Sequence, residues 1–392
     1  MSAITPVQIL KTLSSPSSSS DDIDSLKKLQ KVAQSTAADS TDSIQDDSFF
    51  RDNDSSKTRI LQAVQACQAI SKYTLESART APTSPTLTTK TRRASFGPLE
   101  HHFHAHHLSL HPALDKQFKA HVISGSTGGQ GGAHEGPISI LLKPANLAKE
   151  GGSEGDHAIW VVKGETDAQW VMPYSSDNDH DLIDRHTHFD AHGHDLLDHV
   201  RTTLLNQLRQ KRVVFTGHGS GAAVVSWVYM QLLREIKESD KDLAPHGMDL
   251  ITFGAAATRW AEQRASLYTS KAGSETSTDA VKRYFTEKNP NTNLCLALVN
   301  EGDPTPRLSK DYVAWISSAV SVADGDETKV KEALAKTPWH ALLPFGQIVV
   351  LSADQKESVR WIGKETFRQT VWVDPAQGDV DAYVKNVERI CK

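Results

Sequence analysis

Cysteine is scarce in this chain: Cys67, Cys295 and Cys391 are the only three in 392 residues. An odd number without framework spacing excludes a disulfide scaffold and points to a reduced, intracellular location, with the cytoplasm as the expected compartment. Long apolar runs are also absent, so no transmembrane segment is expected. Residues 1–20 have neither the basic start nor the apolar centre of a secretory signal. Neither sign of charge dominates: the formal net charge is -5, and Lys and Arg are dispersed among Asp and Glu. That pattern excludes a nucleic-acid footprint. No internal repeat is evident.

Composition shifts divide the chain into three expected regions. Residues 1–55 are rich in Ser, Asp and Thr and read as a flexible tail. Within it Ile23, Leu26, Leu29 and Val32 fall at near-helical spacing behind Asp21 and Asp22, which allows a short amphipathic helix. Residues 56–136 hold a better helix from about Lys57 to Ala78, expected to pack on the main domain, then a Pro/Thr linker over 82–91 and a His-dense loop. The linker ends in Arg92-Arg93-Ala94-Ser95, two arginines just before a Ser, which makes Ser95 a candidate phosphorylation site. His101, His102, His104, His106, His107 and His111 could ligate a metal, but no Cys or ordered carboxylate accompanies them. A solvated loop is the expectation, with no metal and no cofactor.

From residue 137 to 392 the texture becomes alternating strand and helix. Strand candidates are Ile138–Leu142, Ala158–Val162, Arg212–Thr216, Leu250–Phe253, Leu294–Val299 and Gln347–Leu351. Amphipathic stretches such as Asp195–Arg209, Val224–Ile236 and Thr328–Leu342 lie between them. Short, continuously apolar strands separated by helices imply a mostly parallel sheet covered on both faces. The segment Val213 to Ala223 stands out. An apolar, β-branched run enters the turn Gly217-His218-Gly219-Ser220-Gly221 and leaves into the helix-like Val224, Val225, Trp227, Val228 and Met230. Strand, sharp turn and helix in that order form the nucleophile elbow of hydrolases, where glycines two residues either side of a Ser avoid collision with neighbouring backbone. Here the residue midway between Gly217 and Gly221 is Gly219.

Four segments in this order resemble motifs of the class 3 lipase family, in particular its intracellular fungal lipase-like branch. Val214 to Ala223 is similar to V-x-x-T-G-H-S-x-G-G-A, with Gly219 at the Ser position. Leu250 to Ala255 is similar to a strand ending in T-F-G-A-P, with Ala256 for the Pro. Asn300 to Arg307 resembles N-x-x-D-P-V-P-R, which puts the triad acid on Asp303. Asp374 to Tyr383 resembles D-P-x-x-H-x-M-x-x-Y, which puts the catalytic His on Gly378. Two weaker matches precede the elbow: Glu165 stands where the family has an oxyanion-hole Thr, and His186-Thr187-His188-Phe189 resembles H-x-G-F. The resemblance implies an α/β-hydrolase fold over about 137–390, and it leaves the N-terminal third unexplained.

Such a hydrolase needs a hydroxyl nucleophile, a His base, an acid that orients the His, and donors for the oxyanion. Gly219 supplies no nucleophile, Gly378 supplies no base, and the carboxylate of Glu165 is electrostatically wrong for an oxyanion. Asp303 is then expected to serve the loop beside Pro304 by accepting backbone N–H bonds. The leading expectation is a lipase-like protein that has lost acyl-ester hydrolysis and binds an acyl or lipid ligand or a protein partner. Its rival is a divergent esterase or lipase in lipid metabolism with Ser220 as nucleophile. One of His186, His188, His192, His194 or His199 would be its base, although Ser220 better suits the start of the helix. A metal-dependent protein built on the His clusters is a third reading. Residues 170–184 are where a lid over the pocket would lie.

Overall fold

The apolar runs along the C-terminal two thirds of the chain assemble into one sheet. In the computed structural model the described residues are 20–37, 43–45, 54–72, 103–104, 112–124, 138–145, 157–164, 192–197, 211–239, 247–256, 293–321, 327–336, 343–352 and 359–392, with a few single positions between them. Ten strands are found among them: β1 (Ser43–Gln45), β2 (Phe103–His104), β3 (Phe118–Ser124), β4 (Ser139–Pro144), β5 (His157–Val162), β6 (Arg212–His218), β7 (Met248–Phe253), β8 (Cys295–Asn300), β9 (Gln347–Leu351) and β10 (Val359–Ile362). Their order across the sheet is β1-β10-β9-β8-β7-β6-β5-β4-β3-β2. The five central strands, β5 to β9, are parallel. Antiparallel strands flank them on both sides.

Successive residues of the central strands serve opposite faces, as the period of a strand requires. Ile159, Val161 and Val214 join one core, while Trp160, Val162, Val213 and Phe215 join the other. The first core is covered by α2 (Asp54–Ser71) and by the C-terminal α7 (Val380–Ile390). The second is covered by α3 (Ser220–Ser239) and by helical residues 192–197, where Gly193 lies directly on the Trp227 ring. A third core joins α1 (Ser20–Ala37), α4 (Lys310–Ser321) and α5 (Glu327–Leu334). The short α6 (Lys364–Gln369) seals Phe367 and Trp372 against the outer strands. A central parallel sheet with helices on both faces, and a strand–turn–helix unit at β6 inside it, make this an α/β-hydrolase fold.

The N-terminal third takes part in this architecture. The amphipathic segment within residues 1–55 is the helix α1, which buries Leu26 and Leu29, and Ser43–Gln45 pairs with β10. The sheet also crosses residue 137: β2 and β3 precede it and continue the sheet beyond β4. Burial of α2 extends to its polar residues. Arg59 donates to Asp249 on β7 at 2.5 Å, and Arg212 reaches the other carboxylate oxygen at 2.8 Å. Asp249 is completely buried and also accepts the Leu294 N–H at 2.7 Å. This ion triad locks α2 under the sheet.

Among the described residues no helix is long and apolar enough to cross a membrane, and no group of three or more His, Cys, Asp or Glu could hold a metal ion. None of Cys67, Cys295 and Cys391 forms a disulfide. Ser95, Glu165, His186, His188, His199, His101, His102, His106, His107, His111 and the 170–184 segment lie outside the described residues.

Candidate functional site

Strand β6 ends at His218, and α3 begins at Ser220. Gly219 alone makes the turn, in the left-handed region at φ +58°. Both of its backbone groups are engaged. Its N–H donates to the Phe253 carbonyl at 3.0 Å, and its carbonyl accepts the Ala256 N–H at 3.0 Å. The turn is thereby riveted to the end of β7. Its flanks explain the spacing of the glycines. A Cβ on Gly217 would meet the Ala222 nitrogen at 2.7 Å, and one on Gly221 would meet the Val162 carbonyl oxygen at 2.5 Å and the Gly164 nitrogen at 2.6 Å. Backbone lies against backbone at both places, leaving no room for a side chain. A Cβ on Gly219, in contrast, would have no atom of the described residues within 4 Å. Ser220 is 7% exposed, and its Oγ lies beside Gly164 at the end of β5.

The loop after β8 brings Asp303 to the same end of the sheet. Asp303 is completely buried, and its carboxylate is fully engaged. Oδ1 accepts the Thr305 N–H at 2.8 Å, the local backbone bond expected beside Pro304. Oδ2 accepts the Tyr383 hydroxyl at 2.5 Å. That hydroxyl in turn accepts the Asn300 N–H at 3.0 Å, while the Asn300 side chain donates to the Gln377 carbonyl at 2.9 Å and accepts from Asn386 at 2.9 Å. Gly378 closes the group: a Cβ there would lie 2.8 Å from Asp303 Oδ1. Any side chain at 378 would therefore have to displace the carboxylate.

His218 completes the cluster from the strand side. Its ring hydrogen-bonds the Gly378 backbone and meets the Tyr383 ring edge-on at 5.4 Å between centroids. The turn, the Asp303 loop and the start of α7 thus converge through His218 and Tyr383. Sequence reasoning assigned no role to Tyr383 or Asn300, although both stand at the ends of the quoted motifs. Of the His residues expected near the turn, His194 packs on the Trp227 ring at 4.5 Å between centroids.

Burial acts in opposite directions on the two titrating groups. Desolvation pushes the Asp303 carboxyl up from 3.8 to about 6, against the hydrogen bonds from Tyr383 and Thr305 that stabilise its charge. Desolvation pushes the His218 imidazole down from 6.5 to about 4, against its bond to Gly378 and the charge of Asp379. A carboxyl that is harder to ionise when folded loses stability as pH rises, here from about 4 to about 6. An imidazole that is harder to protonate when folded gains stability as pH rises, here from about 4 to 6.5. The two slopes oppose each other over a shared window. Chemical denaturation across that window is expected to show Asp303→Asn gaining a more positive slope than the unmodified chain, and His218→Phe a more negative one. Each change is at most about 1.4 kcal/mol per pH unit. Parallel curves for all three proteins would contradict the assignment.

No family model and no curated protein matches the chain. Among solved structures it is similar to the Rhizomucor miehei lipase in complex with its propeptide, at 13% identity and a TM-score of 0.38, over 80% of this chain and 71% of that one. A triacylglycerol lipase described as having a serine protease triad at its catalytic centre aligns at 14% identity and a TM-score of 0.38, over 79% and 83% of the two chains. The lipase of Rhizopus microsporus var. chinensis aligns at 11% identity and a TM-score of 0.35, over 66% and 72%. The fold assignment itself stands on the strand order and on the turn between β6 and α3.

Proposed function

We propose that this chain is a pseudo-lipase: a lipase-like protein that has lost acyl-ester hydrolysis and serves as a lipid- or acyl-binding or protein-interaction scaffold in the cytoplasm. In this reading Gly219, Asp303 and Gly378 occupy the nucleophile, acid and base positions of the class 3 lipase motifs. The observation that carries it is that Gly219 and Gly378 have no side chain, while Asp303 is completely buried and bonded to Tyr383 and Thr305. Without a nucleophile and a base, acyl transfer keeps only what binding and backbone donors contribute, several orders of magnitude below an intact triad. Three cysteines, an odd number without framework spacing, suit a reduced compartment.

Ester hydrolysis by the purified full-length chain tests this reading. Short and long acyl esters are expected to turn over at the rate of the uncatalysed reaction, identically for the unmodified chain and for Ser220→Ala. Turnover well above that background, lost in Ser220→Ala, would replace the proposal with a divergent esterase acting through Ser220.

A further inference from the structure

The two N-terminal helices are held in different ways. Ile60, Val64 and Cys67 of α2 join a core shared with the sheet, and the Asp249 ion triad fixes the helix there. In α1 the apolar Leu26, Leu29 and Ala33 recur at i, i+3 and i+7 and are buried, while Asp24, Lys27, Lys28 and Lys31 are exposed. That one stripe joins the third core, with α4 and α5. No described residue of α1 belongs to either core of the sheet. A satellite core can open while the main core stays closed, and a helix that leaves its packing face loses most of its stability.

The same helix reaches the Asp303 loop. Gln30 Oε1 accepts the Val373 N–H at 3.0 Å, and Gln30 Nε2 lies 3.9 Å from where a Cβ on Gly302 would stand. Val373 leads into Asp374, whose N–H donates to the Gly302 carbonyl at 2.9 Å and whose Oδ1 accepts the Ala376 N–H at 3.3 Å. Gly302 precedes Asp303, and Ala376 stands in the short turn Pro375–Gly378 that bonds His218. The neighbouring Trp372 is tied elsewhere, its N–H donating to the Tyr312 hydroxyl on α4 at 3.0 Å.

We propose that α1 is a detachable strap on the Asp303 loop: it opens as a unit while α2 and the sheet stay folded, and its opening frees Val373 and loosens the Asp374 contacts to Gly302 and Ala376. The two events are coupled because Gln30 is carried by α1 and the Val373 side chain packs in the same satellite core. The device does not depend on whether the turn at Gly219 hydrolyses anything.

Native-state hydrogen exchange of the full-length chain, read residue by residue at low denaturant, tests the strap. The α1 amides and the Val373 amide are expected to exchange through one shared opening, faster and less sensitive to denaturant than the amides of α2 and β6. Gln30→Ala removes the acceptor and is expected to speed exchange at Val373 by about fivefold or more, with Trp372 unchanged. Leu29→Asp places a carboxylate in the satellite core and is expected to open α1 and speed Val373 and Asp374, with α2 and β6 as protected as before. If Leu29→Asp does not fold, the unmodified chain and Gln30→Ala carry the test. Exchange of α1 only through the global unfolding that exposes α2 overturns the proposal. Val373 protection unchanged in Gln30→Ala overturns the coupling and the proposal with it.

Discussion

Asp249→Ala is expected to destabilise the chain by about 3–5 kcal/mol, the usual cost of stripping a buried ion pair of one partner. The substitution leaves Arg59 and Arg212, whose side chains are 6% and 13% exposed, without their shared counter-charge. It also orphans the Leu294 N–H, which bonds Asp249 Oδ1 at 2.7 Å. Arg59→Met should cost less, because Asp249 keeps Arg212 and Leu294 as partners. Denaturant unfolding of the two variants measures the difference, provided both keep the slope of the unmodified chain. Equal and small effects would mean that α2 is held by apolar packing alone. The experiment also bears on organisation: a large loss for a residue on β7 that pairs with α2 makes α2 part of the same folding unit as the sheet.

Gly221→Ala is expected to cost about 3 kcal/mol, at the upper end of ordinary overpacking, because the added methyl would collide with two backbone atoms that cannot yield. Those atoms are the Val162 carbonyl oxygen at 2.5 Å and the Gly164 nitrogen at 2.6 Å. Gly219→Ala adds the same methyl two residues earlier, where none of the described residues lies within 4 Å, but at a φ of +58°. Its cost should be only the left-handed backbone term, about 1–2 kcal/mol. The ordering of the two effects is the checkable content. It predicts that Gly219→Ser also folds, with a hydroxyl placed at the apex of the turn. Gly378→His, by contrast, would have to push the Asp303 carboxylate aside. A stable, unperturbed Gly221→Ala would show that the strand–turn–helix contact is looser than described.

The parallel strands were legible because they are short, apolar and β-branched, as in Val213-Val214-Phe215 and Ile348-Val349-Val350-Leu351. The antiparallel strands β3 and β10, one in from each edge, were not. In β3 the apolar residues are interrupted by Lys119 and His121, and β10 reads Val-Arg-Trp-Ile, so no continuous run marks either one. Packing of α2 on the main domain could be expected from Ile60, Val64, Cys67 and Ile70. Its ion pair could not, because Arg59 and Asp249 are 190 positions apart and neither is unusual in its local sequence. The same holds at the turn. Spacing identified Gly217, Gly219 and Gly221 and placed Asp303 near Pro304. Burial of Asp303 behind the Tyr383 hydroxyl depends on a fold that brings residues 80 apart into contact.

The central claim is that the turn between β6 and α3 holds no working nucleophile, and covalent labelling addresses it without assuming any substrate. The folded full-length chain would be treated with a fluorophosphonate, which reacts with activated serine hydroxyls, and the products would be read by intact mass and peptide mapping. No adduct at Ser220 is the predicted result, because its hydroxyl lies buried beside Gly164. A stoichiometric adduct at Ser220 that disappears when the chain is unfolded would contradict it.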